Sequence, residues 1–186
     1  MIKAFAVIRG KGTVRALLDV KVLVALFDQD HVSHKSAMTW FAAHAREGWA
    51  SCSITQNGCA RVMADPSYPN PLPVQALIRR LADTYAQPIH QFWADEPSLI
   101  DPGIFDATRI HGPKQITDLY LLGLAVEHDG RLVTFDGGIA HSAVRKATAK
   151  NLVVLQSWSL VALRQNHGRS GREIRRMRRQ RGGTGG

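Results

Sequence analysis

Residues 16–27 read Ala16-Leu17-Leu18-Asp19-Val20-Lys21-Val22-Leu23-Val24-Ala25-Leu26-Phe27, and this stretch decides the fold. Ala16-Leu17-Leu18 is a short apolar run that ends at an acid, Asp19. Val22 to Phe27 then continues as an apolar segment compatible with a helix. An unbroken apolar strand ahead of a helix is buried on both faces, as strands of parallel sheets are.

The same alternation continues along the chain. Residues 34–47 place Ala37, Trp40, Phe41 and Ala45 at helical spacing, an amphipathic helix. Residues 49–54 read as a second strand, and Thr55 as the cap of a helix running through Cys59 and Val62 to Met63. The proline-rich stretch 65–71 breaks that helix. Residues 72–86, with Val74, Leu77, Ile78 and Leu81 on one face, form another helix, and 89–93 a third strand. Residues 117–128 are apolar nearly all round, so that helix belongs inside a core or an interface, and Gly130 stops it. Residues 131–135 are a strand ending at Asp136, with Gly137-Gly138 as the turn, and 152–155 a last short strand. Strands alternating with helices predict an α/β domain of three layers, a central, mostly parallel sheet flanked by helices.

The chain has 186 residues, 45% of them hydrophobic, enough to bury a core without metal or disulfide staples. No uncharged apolar run approaches the ~18 residues that span a bilayer, so no membrane association is expected. Two cysteines, Cys52 and Cys59, make no disulfide framework. They read as packing residues in a reducing, cytoplasmic setting. The net charge of +9 sits at the ends: Lys3, Arg9, Lys11 and Arg15 at one, and seven arginines after residue 167 at the other. Residues 16–167 carry 13 basic and 14 acidic side chains, so the basicity does not by itself indicate a nucleic-acid binder. The expected organisation is an N-terminal extension over 1–15, one domain over 16–160 and a basic, disordered tail over 161–186. A native start near Val14 is expected.

Asp19 and Asp136 each follow a predicted buried strand, and Asp118 lies in the first turn of the apolar helix. Open α/β sheets bind their ligands outside those strand ends. Carboxylates converging there repel one another, and a hard divalent cation such as Mg²⁺ is the simplest compensation. Such an ion lowers the pKa of a water and neutralises charge on a phosphoryl oxygen. The competing reading is that these acids are helix caps and turn residues.

Four segments in order resemble the PIN-domain family. Leu17 to Leu26 resembles its opening, and Ser53-Ile54-Thr55-Gln56-Asn57-Gly58-Cys59-Ala60-Arg61-Val62 its second motif. Ile116-Thr117-Asp118-Leu119-Tyr120-Leu121 and Arg131-Leu132-Val133-Thr134-Phe135-Asp136 are similar to its third and fourth. The set, covering roughly 16–156, is most similar to the VapC toxins of bacterial toxin–antitoxin pairs. The resemblance implies a Mg²⁺- or Mn²⁺-dependent endoribonuclease acting on RNA, inhibited by a VapB-like antitoxin and forming a homodimer. It implies Asp19, Asp118 and Asp136 as the catalytic, metal-binding acids, Thr134 as the hydroxyl beside the last one, and Arg61 as a basic position. Two residues depart from the pattern. Gln56 stands where the second motif usually has a glutamate; it keeps a carbonyl oxygen but no negative charge. Lys21 stands where asparagine is common, and either binds a substrate phosphate or pairs with Asp19. These departures keep a second reading open, a catalytically weakened module that acts by binding an antitoxin or RNA.

Other features read blandly. His31 and His34 cap or pack against the helix carrying Trp40, since no second ligand pair at zinc spacing accompanies them. Trp40 and Phe41 read as core or dimer surface, and Arg79-Arg80 as a solvated helix face. A phosphotransfer domain is disfavoured: Asp19-Val20-Lys21 lacks the second acid of a haloacid-dehalogenase-like Asp-x-Asp pair, and Leu18-Asp19 is not the paired acid of a receiver.

Overall fold

The computed structural model describes residues 14–157; residues 1–13 and the arginine-rich segment from 158 lie outside the described residues. Ten elements follow in order: β1 (Ala16–Leu18), α1 (Val20–Phe27), α2 (His34–His44), β2 (Trp49–Ser51), α3 (Ser53–Ala64), α4 (Val74–Tyr85), β3 (His90–Phe92), α5 (Ile116–Glu127), β4 (Arg131–Thr134) and β5 (Leu152–Val154). The strands form one sheet in the order β3-β2-β1-β4-β5, every pair parallel. Leu17 stands opposite Ala50 and Leu132, and Leu18 opposite Val133.

Successive side chains of a strand point to opposite faces, and the two cores divide accordingly. Leu17, Ala50 and Leu132 pack with Leu119, Leu121, Leu122 and Leu124 of α5 on one face. Leu18, Trp49 and Val133 pack with Val22, Phe41, Cys59, Met63, Leu77 and Leu81 from α1 to α4 on the other. That is the three-layer α/β arrangement expected of the apolar runs. No helix among the described residues is long and apolar enough to cross a membrane.

Several boundaries differ from the sequence reading. β2 stops at Ser51 rather than 54, and α3 begins at Ser53 with Cys52 as its N-cap. Thr55 is therefore not the cap but the third helical residue. Its buried hydroxyl accepts from the Cys52 N–H at 3.0 Å and donates to the Cys52 carbonyl at 3.1 Å, so the hydroxyl closes the helix start from inside. On α4 only Leu77 and Leu81 are buried, while Val74 and Ile78 are 60% and 52% exposed, because nothing among the described residues covers that side of the helix. Arg80 is not a freely solvated residue: it donates to the Phe27 carbonyl at 2.7 Å and lies 5.3 Å over the Phe27 ring, tying α4 to the end of α1. His34 does not cap or pack against the Trp40 helix from outside: it is that helix's first residue, and its ring bonds the Ala25 carbonyl of α1 at 2.7 Å, tying α2 to α1. Arg15 is built into the body, its guanidinium donating to the carbonyls of Trp49 and Ile89 at 3.1 and 2.7 Å.

Two helices must meet closely to bring α3 beside the start of α1. Gly58 lets them: a Cβ there would lie 2.5 Å from Val20 Cγ2, and a β-branched valine has no free rotamer to retreat into. Gly58→Ala is expected to destabilise the protein by about 1–2 kcal/mol. Overpacking costs about 1–3 kcal/mol, and alanine's better helix propensity returns up to about 1 kcal/mol. Urea unfolding of the two proteins checks this, and equal or greater stability of the variant would contradict the close approach.

Candidate active site

Because every strand runs the same way, the carboxyl ends of all five open on one edge of the sheet, where ligands of open α/β sheets bind. Asp19 follows β1 there and caps α1. Its Oδ1 accepts from the Val20 N–H at 2.6 Å, its Oδ2 accepts from the Thr134 hydroxyl at 2.8 Å, and its own N–H donates to the Val133 carbonyl at 3.0 Å. The capping reading of Asp19 thus holds, and the same side chain reaches across to the end of β4. Thr134, fully buried at the end of β4, also accepts from the Asp136 N–H at 3.0 Å. One hydroxyl therefore links the first acid to the backbone of the last. Asp136 turns Oδ1 toward the Gly138 N–H at 2.7 Å, which shapes the turn after β4.

Asp118 enters from the first turn of α5. Burial, then the charges of Asp19 and Asp136, push its carboxyl up to about 6, while Lys21 opposes the rise. Burial also raises Asp19, with Asp136 adding to it, against the lowering effects of Thr134, the Val20 N–H and Lys21. The three aspartates therefore share one electrostatic neighbourhood, and Lys21, exposed in the first turn of α1, acts on two of them.

Gln56 lies in the first turn of α3 and donates through Nε2 to the Ser51 hydroxyl oxygen at 2.9 Å. Arg61 stands exposed in the last turn of the same helix, five residues on and so about 7–8 Å further along its axis. The structure does not bring Arg61 to the acids as closely as it brings Lys21. Asp95, which sequence reasoning passed over, follows β3 at the same sheet edge, and its charge acts on Cys52 and Tyr120. Its strand, His90-Gln91-Phe92, is polar and partly exposed, so it lacks the apolar run that singled out Asp19. Ser51 was missed because a single serine ending a strand carries no motif. Both thiols are buried, and burial pushes Cys59 up to about 12, as befits packing residues.

Among the described residues no set of three His, Cys, Asp or Glu side chains is close enough to hold one ion between them. The donors nonetheless suit a hard divalent cation. Mg²⁺ keeps several waters and is commonly held by one or two carboxylates. Here three carboxylates, that of Asp19 buried, lie close enough for the charge of Asp136 to act on both Asp19 and Asp118, with Lys21 opposing.

Neutralising one of these acids should relieve the repulsion. Asp118 has its folded pKa raised above the unfolded value near 3.8, so it costs stability as pH rises from about 4 to about 6 and above. Asp118→Asn is expected to stabilise the metal-free protein at pH 7.5, by about 1 kcal/mol after solvent screening, and to leave it unchanged near pH 3.5. Thermal unfolding in EDTA at the two pH values measures this. A variant that is less stable at pH 7.5 would show that the acids do not repel.

A PIN domain family model matches residues 16–145. The chain is 51% identical over 141 residues to ribonuclease VapC44 of Mycobacterium tuberculosis, covering 76% of this chain and 99% of that one. It is 38% identical over 129 residues to ribonuclease VapC39 of the same organism, covering 69% and 93%. The crystal structure of M. tuberculosis VapC20, a Sarcin-Ricin loop cleaving toxin, aligns with 71% of the chain and 98% of its own at a TM-score of 0.49 and 9% identity. With a family model spanning most of the described domain and a half-identical relative covered almost end to end, the chain belongs to the PIN-domain family, among its VapC-type members.

Proposed function

We propose that this protein is a divalent-metal-dependent endoribonuclease, the toxin of a type II toxin–antitoxin module, with Mg²⁺ as its metal and Mn²⁺ as a substitute. The observation that carries the reading is the gathering of Asp19, Asp118 and Asp136 at the carboxyl edge of the sheet, where burial first, and then the charge of Asp136, raises the carboxyls of Asp19 and Asp118. A domain does not set two half-buried acids beside a buried one for stability, so the arrangement calls for a cation. Kinship with proteins named ribonucleases supports RNA as the substrate.

When bound, the cation supplies positive charge against a phosphodiester oxygen and a lowered pKa for an attacking water. Asp19, Asp118 and Asp136 are the residues that would hold it. Thr134 keeps Asp19 oriented, since its hydroxyl donates to Oδ2. Asp118, poised near 6, is able to hold or release a proton close to neutral pH. Lys21 is placed to meet a substrate phosphate beside Asp19, and Arg61 offers a second phosphate contact from the far end of α3. Gln56 contributes a carbonyl oxygen in place of a fourth carboxylate. A VapB-like antitoxin, a second copy of the chain in a homodimer and a cytoplasmic location complete the reading.

Purified protein incubated with structured RNA should cut it in MgCl₂ or MnCl₂ and stop in EDTA. Asp19→Asn should cut at least about 100-fold more slowly, the scale of losing a principal electrostatic group in a site. Cleavage that survives both treatments would overturn the reading.

Gln56, together with the finding that among the described residues no three His, Cys, Asp or Glu side chains are grouped closely enough to hold one ion, favours a second reading, a module that acts by binding an antitoxin or RNA. Growth arrest, or tight RNA binding, that persists in Asp118→Asn would select it.

A further inference from the structure

Behind Gln56 runs a chain of hydrogen bonds that reaches the edge strand. Gln56 Nε2 lies 2.9 Å from Ser51 Oγ, Ser51 Oγ lies 2.8 Å from His90 Nε2, and His90 Nδ1 lies 2.9 Å from the Tyr85 carbonyl. Ser51 is fully buried and ends β2; His90 begins the neighbouring β3, in register with Trp49. The ring is clamped between Tyr85, stacked at 4.7 Å, and Trp49 at 4.5 Å.

The direction of every bond follows from the last one. A carbonyl only accepts, so His90 Nδ1 must carry a proton to bond Tyr85. Burial of the ring and the nearby Arg15 charge both favour the neutral imidazole, which leaves Nε2 as an acceptor. Ser51 then spends its single proton on Nε2, and its oxygen is left only to accept. What approaches it from Gln56 must be the amide NH₂, so the carbonyl Oε1 is turned the other way. Among the described residues Oε1 has no donor of its own.

We propose that Ser51 and His90 are positioning residues whose hydrogen-bond relay locks the Gln56 amide so that its oxygen, and not its NH₂, is offered to a divalent cation at the acidic site. A glutamate in this place needs no such lock, because its two oxygens are equivalent. A glutamine does: flipped, it would present N–H donors to a cation and repel it. The relay is thus the feature that makes glutamine serviceable where a carboxylate is usual. This inference rests on the divalent-cation reading of the site.

Two measurements test it. The first is the tautomer of His90 in the metal-free, full-length protein, read by long-range ¹H–¹⁵N correlation. The Nδ1–H form is expected, and an Nε2–H form overturns the relay whatever the protein binds. The second is Mn²⁺ affinity by calorimetry for Ser51→Ala in two backgrounds, native and Gln56→Glu. In the native background the loss of the hydroxyl should weaken Mn²⁺ binding about tenfold, the scale of an outer-shell partner. In the Gln56→Glu background it should change affinity by less than about twofold, because nothing remains to be oriented. An equal loss in both backgrounds would mean that Ser51 merely supports the fold. No loss in either would mean that the amide is held by something else. Both results overturn the proposal. If neither the native protein nor Gln56→Glu binds Mn²⁺ at all, the cation reading itself fails and takes the positioning role with it. The tautomer then reports separately whether the relay exists.

Discussion

The carboxylate of Asp19 joins two halves of the sheet's functional edge, and the rest of the site is arranged around it. One oxygen caps α1 through the Val20 N–H, and the other takes the Thr134 hydroxyl from the end of β4. A capping carboxylate is worth about 1 kcal/mol to a helix, and a bond to a charged acceptor somewhat more. Together they offset part of the cost of burying Asp19, and they do so only when β1 and β4 lie side by side with Leu18 opposite Val133. The register of the sheet and the geometry of the site are therefore the same fact.

Around that fixed carboxylate the protein tolerates an arrangement that opposes stability. Asp118 and Asp136 approach on separate elements; the charge of Asp136 acts on both Asp19 and Asp118, and that of Asp19 on Asp118. The scaffold bears this because α5 is anchored by an almost wholly apolar helix, with Leu119, Leu121, Leu122 and Leu124 fully buried. Burial of four leucines contributes several kcal/mol, more than like charges at a half-open edge take away. Stability is concentrated in the two apolar layers, and the sheet edge is left free to carry the chemistry.

Gln56 shows how an apparent defect is absorbed by its surroundings. Read alone, it removes a negative charge and a symmetrical ligand. In the fold its NH₂ is occupied by Ser51, so the side chain is left with its oxygen to give. The same holds for Lys21, whose cation lowers the carboxyls of both Asp19 and Asp118. A site with one acid fewer and one base more carries less repulsion when empty.

Much of this was legible in the chain of residues. The apolar run 16–18 and the largely apolar 132–135 dictate buried parallel strands, because only a strand covered on both faces can do without polar alternation. Asp19 and Asp136, the acids that follow them, then fall at the ligand-binding edge by topology alone. Element ends were less legible. Ser53-Ile54 reads as readily extended as helical, and the choice fell to Thr55, whose hydroxyl satisfies Cys52 from within the helix. Arg15 read as part of a basic extension, yet it bonds carbonyls 34 and 74 residues away. Periodicity and local order thus encode the layers, the ligand-binding edge of the sheet and the aspartates expected there. The donor that ties Asp19 to the end of β4 and the partners behind the Gln56 amide are set by the folding of distant segments together. The Thr134 hydroxyl reaches Asp19 from 115 residues away and His90 reaches Ser51 from 39, and no local pattern records such distances.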